Sequence, residues 1–297
     1  MRILVPLDGS DYSKKVVTFL ASRSTLIGAE PEVHLLNVQP ALPGQAAAQL
    51  GRAVTRRIYE SEAETVLAPA RRTLARAGIT VETHADSGHA VFRIVQIADD
   101  LKADLIVIGA HGYSEFKGLL FGSVTHGVLA RSKRPVLVLR GARGPRGDAL
   151  KVGIAVDGSG FGLAAVKFAL RHRDLFGAGG RMTLVHVVPD FVMPVMADLG
   201  GMAVPTFTEQ EVKALQDKDF ESAVGPARRL FEKAAASADE VRLSGTPGDE
   251  IAAYARKNLD VLLVGSHGYG GFKTAVLGSV ATRIAARCET PLLIVRP

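Results

Sequence analysis

The chain has 297 residues, of which 47% are hydrophobic and 22% charged, which is typical of globular proteins and long enough for two domains. Its net charge of +6 favours anionic ligands, but the basic residues form only small clusters without interleaved aromatic side chains, so we expect no nucleic-acid partner. Cys288 is the only cysteine, which excludes an intrachain disulfide, and the eight histidines show no paired ligand spacing, so we expect no metal site.

The start of the chain and its hydropathy bear on cellular location. Residues 2–7 form a strand pattern with no signal peptide before it, and no apolar run approaches the length that spans a membrane. We therefore expect a cytoplasmic protein with no membrane partner.

The first half of the chain alternates strand and helix patterns. Five short, mostly apolar runs predict strands, and four amphipathic segments between them predict helices. The predicted strands are residues 2–7, 33–38, 79–84, 104–108 and 135–139. Ser10 is predicted to cap the helix after strand one, and Ser123 the helix after strand four. Residues 40–52, rich in Ala, Gly, Pro and Gln, are predicted to be a loop.

The second half of the chain repeats the first. The strand patterns recur at residues 151–156, 181–187, 241–243, 260–264 and 291–295. The tripeptide Asp-Gly-Ser follows strand one in both halves, at Asp8 and at Asp157. We therefore predict a tandem duplication, with one domain at 1–142, a Gly- and Pro-containing linker at 143–149 and a second domain at 150–297.

Strands that are apolar on both faces and alternate with helices predict an α/β fold. Each domain is expected to be a doubly wound, five-stranded parallel sheet with helices on both faces. If the strand order is 3-2-1-4-5, a ligand crevice lies between the carboxyl ends of strands one and four. Strand five is then an apolar edge that would promote aggregation if it were exposed. We expect the two edges to pair within one chain, with a covering helix or loop as the alternative.

The same glycine spacing, G-x2-G-x9-G-S, follows strand four in both copies. It comprises Gly109, Gly112, Gly122 and Ser123 in the first copy and Gly265, Gly268, Gly278 and Ser279 in the second. Glycines permit positive φ and remove Cβ atoms, so backbone amides can approach a ligand closely. A helix that begins at Gly-Ser offers free N–H groups to an anion. Each loop therefore predicts a phosphate site, with a turn that merely connects strand to helix as the alternative.

Neither of the commoner phosphate loops is present. Walker A requires a lysine directly after its last glycine, where Ser123 and Ser279 stand, and no GxGxxG follows strand one. Lys117 and Lys273 recur inside the loops, and we interpret them as solvated. A carboxylate at the end of strand one can accept a hydrogen bond from an amine or hydroxyl, so a nucleotide suits both ends of the crevice.

With these motifs the chain resembles the universal stress protein family, in its tandem two-domain form, over essentially its whole length. The resemblance implies that ATP binds each domain, with Mg²⁺ left open. It places adenine and ribose at the strand-one aspartate and the end of strand two, and ribose and phosphates at the glycine loop. The implied site residues are Asp8, Val38, Gly109, His111, Gly112, Gly122, Ser123 and Val124 in the first copy and Asp157, Val187, Gly265, His267, Gly268, Gly278, Ser279 and Val280 in the second.

Some features of these sites stay open. Ser13 and Asp11 of the first copy correspond to Gly162 and Gly160 of the second, so the two sites need not be equivalent. The histidine in each loop is either a ligand contact or a residue tolerated in left-handed geometry. Pairing of the two domains through strand five resembles how single-domain members of the family dimerise, and a further homodimer of the chain stays open.

Three functions remain as hypotheses. The first is an ATP-binding protein of the stress response that acts by nucleotide-dependent binding or regulation, since no residue is an evident nucleophile, base or metal ligand. The second is a slow ATPase or an adenylyl-transferring enzyme on the same scaffold. The third is an interaction module that binds no nucleotide. We assign no catalytic residue.

Overall fold

The computed structural model describes residues 1–23, 26, 33–110, 121–140, 147–190, 208–268 and 277–297. Its first half comprises β1 (Ile3–Pro6), α1 (Asp11–Ala21), β2 (Val33–Gln39), α2 (Gly44–Arg76), β3 (Val81–Ser87), α3 (Ala90–Asp100), β4 (Leu105–Gly109), α4 (Ser123–Arg131) and β5 (Val136–Leu139). Its second half comprises β6 (Lys151–Ala155), α5 (Gly160–Arg171), β7 (Arg181–Val188), α6 (Glu209–Lys233), β8 (Asp239–Ser244), α7 (Pro247–Asn258), β9 (Val261–Gly265), α8 (Ser279–Arg287) and β10 (Leu292–Val295).

The strands form one ten-stranded sheet in the order β3-β2-β1-β4-β5-β10-β9-β6-β7-β8. Within each half all neighbouring strands are parallel, and the predicted order 3-2-1-4-5 is confirmed in both. The direction of winding reverses between β1 and β4, and again between β6 and β9. These two points are where a doubly wound sheet opens a crevice at its carboxyl edge.

The two halves meet at β5 and β10, which pair antiparallel with Leu293 opposite Leu137. Every residue of both strands is buried. Strand five is therefore interior to the sheet, and the outer edges are β3 and β8. An apolar edge strand that is paired in this way no longer offers unsatisfied backbone groups to another chain.

Two arginines after these strands reach across to the opposite half. Arg140, which follows β5, donates from Nη1 to the carbonyl oxygens of Ala285 and Cys288 at the end of α8. Arg296, which follows β10, donates from Nη2 to the Leu129 carbonyl in α4 at 2.5 Å. The last carbonyls of a helix lack intrahelical partners and carry negative partial charge, so a guanidinium stabilises them. Each half thus caps a helix of the other.

The core consists of two apolar layers, one on each face of the sheet. Side chains of α1, such as Phe19 and Leu20, and of α5 and α6 pack on one face. Side chains of α3, such as Val91 and Ile94, and of α4, α7 and α8 pack on the other. No helix in the described part of the chain is both long and apolar enough to cross a membrane.

Two local predictions were wrong. Residues 40–52 are largely helical, because α2 begins at Gly44 and bends at Gly51, whose φ of 74° is readily adopted by glycine alone. The N-cap of α4 is Gly122, and Ser123 is the first helical residue. Pro226, a residue type that is expected to break or kink a helix, lies within α6, and α6 continues through it. Its neighbours Val224, Ala227 and Phe231 are buried, so this part of α6 packs against the core.

Candidate functional site

Two cavities lie at the carboxyl edge of the sheet, one where β1 adjoins β4 and one where β6 adjoins β9. Their volumes are about 230 Å³ and about 630 Å³. The first is lined by Asp8, Val38, Gly109, Gly122, Ser123 and Val124 among other residues. The second is lined by all eight residues predicted for it, Asp157, Val187, Gly265, His267, Gly268, Gly278, Ser279 and Val280. His111, Gly112 and the two loop lysines lie outside the described residues.

The Asp8 carboxylate in the first cavity is held in place by two serines. Its Oδ1 accepts from Ser13 Oγ at 2.5 Å and from the Ser10 amide at 3.0 Å. Ser13 Oγ in turn accepts from the Asp8 amide at 3.0 Å. Burial opposes ionisation of this carboxyl group, but the hydrogen bonds from Ser10 and Ser13 outweigh it and lower the pKa of Asp8 below its ordinary value. Asp8 is therefore a fixed, charged acceptor at neutral pH.

The corresponding carboxylate in the second cavity is held differently. Asp157 Oδ1 accepts from both the amide and the hydroxyl of Ser159, at 3.0 and 2.6 Å. Gly162 stands where the first half has Ser13, and Ser159 supplies the hydroxyl donor instead. A Cβ at Gly162 would lie 3.0 Å from Asp157 Oδ1. The two sites thus present the same carboxylate acceptor, but different hydrogen bonds hold it. In this respect the two sites are not equivalent.

The first glycine of each loop has a packing role that the sequence analysis did not predict. Neither Gly109 nor Gly265 has a positive φ. A Cβ at Gly109 would lie 2.6 Å from the Tyr12 carbonyl oxygen, and one at Gly265 would lie 2.6 Å from the Phe161 carbonyl carbon. These glycines allow the first turns of α1 and α5 to lie directly against the ends of β4 and β9. They place the helix and the strand-one aspartate beside the loop.

This contact predicts a destabilised Gly265→Ala variant. The added Cβ meets backbone atoms, which cannot rotate away, so we expect the free energy of unfolding to fall by about 1–3 kcal/mol. Gly160→Ala is the matched control, because a Cβ there meets nothing within 4 Å, and its stability should change by less than about 1 kcal/mol. Urea denaturation of both variants measures the difference. Equal stabilities would show that the close approach at Gly265 does not exist.

The later glycines of the second loop adjoin the site itself. A Cβ at Gly268 would lie 2.5 Å from Asp157 Oδ2, so the glycine leaves room for the carboxylate. The Gly278 amide donates to the Ser266 carbonyl at 2.8 Å, which closes the loop where α8 begins. The loop and the strand-one aspartate therefore form two sides of a single pocket.

Helices α4 and α8 begin at this pocket without a side-chain cap. Their N-caps are Gly122 and Gly278, and neither helix shows a side-chain hydrogen bond to its first amides. The first N–H groups of a helix carry partial positive charge and need a partner. Beside them Val124 and Val280 are 37% and 41% exposed, an unusual position for valine in both halves. Each pocket thus offers amide donors and an apolar contact at its loop side.

Two polar residues that the sequence analysis overlooked hold strand one in place. Asn37 Nδ2, in β2, donates to the Leu7 carbonyl at 2.8 Å. His186 Nδ1, at the equivalent position of β7, lies 2.8 Å from the Val156 carbonyl oxygen. Both carbonyls belong to the residue just before the site aspartate. The sequence contains a signal for both residues. Each is a polar residue within a mostly apolar strand, and the two occupy the same position of the repeat.

His186 also contacts the long helix of the second half. Its Nε2 lies 2.8 Å from Asp219 Oδ2 in α6, and both residues line the second cavity. His267 lines the same cavity, and its ring packs against Phe161 at a centroid distance of 5.3 Å. The backbone of His267 does not have the positive φ that the alternative interpretation assumed, and neither interpretation predicted the ring contact with Phe161.

The fold and these pockets define a class of protein, a tandem pair of doubly wound α/β domains with a glycine-loop pocket in each. The chain belongs to the universal stress protein family, whose model matches residues 1–140 and 150–296.

Similar proteins agree with this assignment. A universal stress protein of Mycolicibacterium smegmatis is 26% identical over 309 aligned positions, which cover 99% of this chain and 97% of that protein. Universal stress protein Slr1230 of Synechocystis is 33% identical over 140 positions, which cover 47% of this chain and 42% of that longer protein. The crystal structure of a universal stress protein from Archaeoglobus fulgidus matches with a TM-score of 0.69 and 23% identity, and covers 99% of this chain and 98% of that one.

Proposed function

We propose that the chain is an ATP-binding universal stress protein with one adenine-nucleotide site in each half, and that it acts in stress response by nucleotide-dependent binding or regulation. One observation carries the proposal. Each half brings a fixed carboxylate, an exposed valine and an uncapped helix N-terminus to one pocket at the switch point of the sheet. Ligands of doubly wound proteins bind at that point.

The two ends of each pocket suit the two ends of a nucleotide. The carboxylates of Asp8 and Asp157 would accept hydrogen bonds from the adenine amine or a ribose hydroxyl, beside Val38 and Val187. The amides at the start of α4 and α8 would bind the phosphates, because helix N-termini favour anions. We retain the glycine-loop residues of both copies, with His111 and Gly112, as further contacts on the strength of the family resemblance. Whether Mg²⁺ accompanies the phosphates is part of the proposal to be tested.

Binding is favoured over catalysis by the way the titratable groups of the second cavity are engaged. His186 is the candidate general base there, but its two ring nitrogens contact the Val156 carbonyl and Asp219. Because a carbonyl oxygen only accepts, Nδ1 must donate to it, and both ring nitrogens are already engaged by protein atoms. The pair therefore positions strand one and α6 and is not arranged as a catalytic dyad.

Mass spectrometry of small molecules released from the purified, denatured chain tests the proposal. We expect adenine nucleotide, and calorimetry on nucleotide-free chain should then give two ATP molecules per chain, because each half has one pocket. Absence of heat with ATP, ADP and AMP would contradict it and favour the interaction module. Accumulation of ADP or of an adenylylated product with Mg²⁺ would favour the enzyme instead.

We also propose that the β5–β10 pairing holds the two halves together in solution. The antiparallel register and the reciprocal contacts of Arg140 and Arg296 support this arrangement. Pairing within one chain uses the surface that would otherwise join two single-domain subunits. A further homodimer would need a different surface.

A further inference from the structure

A cluster of two histidines and a glutamate lies on β2 and β3, at the outer edge of the first half. His34 precedes Val38 by four residues on β2, which is about 13 Å along a strand. The described lining of the proposed nucleotide pocket includes Leu36, which is paired with His84, but no member of the cluster. Glu82 and His84 are on β3, the edge strand of the sheet. Among the residues that the structure describes, these three have ligand atoms that all lie within 4.8 Å of one another.

The parallel register of the two strands creates the cluster. His34 is paired with Glu82, and Leu36 with His84, so the three polar side chains lie on one face of the sheet. Histidine ligands are often recognised by short spacings on one helix or loop, whereas His34 and His84 are 50 residues apart. The expectation of no metal site rested on such spacings and took no account of neighbouring strands.

The distances between the three ligand atoms suit a metal ion. His34 Nδ1 lies 2.9 Å from His84 Nε2 and 3.3 Å from Glu82 Oε2. Nitrogen and oxygen ligands that lie about 2.0–2.1 Å from a metal, at angles between octahedral and tetrahedral, are separated by roughly 2.9–3.4 Å. Both distances from His34 Nδ1 fall in this range, and the ligand atoms of Glu82 and His84 lie within 4.8 Å of each other, so rotations of these two side chains would bring all three atoms to one cation.

The cluster has one ligand that is buried and one that is open to solvent. The His34 side chain is 7% exposed and the Glu82 side chain 67% exposed. One ligand is thus held by the core, while the carboxylate faces solvent, where water can complete the coordination. Two imidazoles and one carboxylate form a donor set suited to Zn²⁺ and to other divalent first-row transition metals.

The second half of the chain provides an internal control. The equivalent positions carry Thr183, paired with Asp239, and Val241 two residues further along β8. The carboxylate is present there, but both imidazoles are replaced. Repetition of the fold alone therefore does not require the cluster.

We propose that His34, Glu82 and His84 bind one divalent transition-metal ion, in the first half only, independently of nucleotide. The competing account is a hydrogen-bonded His34–His84 pair with Glu82 as an ion-pair partner, which needs no metal. Both accounts use the same side chains, so the experiment must measure metal and not only stability.

Calorimetric titration of the chelator-treated, nucleotide-free full-length chain with ZnCl₂ tests the proposal. We expect one saturable site that His84→Ala and Glu82→Gln each weaken by at least about tenfold, because even loss of a group that only orients a ligand costs 10–100-fold. His89→Ala is the matched control, since it removes an exposed histidine of the same half that packs on Phe92 outside the cluster. It should leave Zn²⁺ affinity unchanged.

A second readout distinguishes ligation from general surface binding. Zn²⁺ should shift the imidazole nitrogen resonances of His34 and His84, and should raise the unfolding temperature of the wild-type chain but not of His84→Ala. The chosen variants alter half-buried or exposed side chains, so folding of the metal-free proteins can be checked by circular dichroism. No Zn²⁺ binding by the wild-type chain, or equal affinity in wild type and His84→Ala, would overturn the proposal.

Discussion

Asp8→Ala combined with Asp157→Ala is expected to abolish tight adenine-nucleotide binding by this chain. Each substitution removes a carboxylate that is fixed by serine hydrogen bonds at the strand-one side of its pocket. Hydrogen bonds to a charged group contribute about 1.5–3 kcal/mol, so each site should lose roughly 10- to 100-fold in affinity. Because the pKa of Asp8 is lowered, its carboxylate stays charged at mildly acidic pH, and wild-type binding at the first site should persist there. Calorimetry with ATP measures the loss.

The single variants and a neighbouring aspartate provide controls. Asp8→Ala and Asp157→Ala should each leave one site intact, so the stoichiometry at moderate ATP should fall from two to one. Asp11→Ala removes an exposed carboxylate at the start of α1, paired with Lys14 at 2.8 Å, and should leave binding unchanged. Undiminished ATP affinity in the double variant would refute the assignment of the aspartates as ligands.

Arg140→Ala is expected to cause the largest loss of stability among exchanges at the junction of the two halves. The side chain is 3% exposed and donates to two carbonyls at the end of α8. Burial lowers the pKa of Arg140, with Cys288 and Glu289 acting against it, but a guanidinium remains charged at neutral pH. We expect the free energy of unfolding to fall by about 2–3 kcal/mol, because buried carbonyls lose a charged donor. Urea denaturation followed by circular dichroism measures the change.

An arginine that belongs to α8 itself provides the comparison. Arg287 in α8 is 61% exposed and pairs with Asp249 at 3.0 Å. An exposed ion pair contributes little, so Arg287→Ala should change stability by less than about 1 kcal/mol. If Arg140→Ala were no more destabilising than Arg287→Ala, the contact of Arg140 with α8 would contribute nothing measurable to the free energy of unfolding.

The reciprocal arginines contact the two helices that begin at the pockets. Helix α4 begins at the first pocket and is contacted near its other end by Arg296 from the second half. Helix α8 begins at the second pocket and is contacted in the same way by Arg140. Each pocket thus adjoins a helix whose far end forms hydrogen bonds with the opposite half.

The alternation of strand and helix patterns was sufficient to predict the fold class. Apolar runs that stop at Asp8, Gly109 and their repeats identify buried parallel strands, because only strands covered on both faces lack polar alternation. The handedness and the short connections of α/β folds then leave few strand orders, of which 3-2-1-4-5 was the expected one. The repeat also singled out the two glycine loops, and the predicted loop residues that the structure describes line one of the two cavities.

Contacts between distant residues required the tertiary structure. The clash that excludes a Cβ at Gly265 depends on where Phe161 packs, and the environment of Asp157 depends on Ser159 substituting for a serine lost from α5. No local pattern contains these distances. The continuation of α6 through Pro226 likewise coincides with buried neighbouring residues, which local preferences do not show.

The sequence by itself determined the duplication, the parallel α/β architecture and the two glycine loops, because periodicity and spacing are local properties of the chain. The tertiary structure alone decided how the strand-one aspartates are held, which glycines serve packing, and that His34, Glu82 and His84 meet on adjacent strands. The physical reason is that register brings together residues 50 positions apart, and register is set by the packing of the whole sheet.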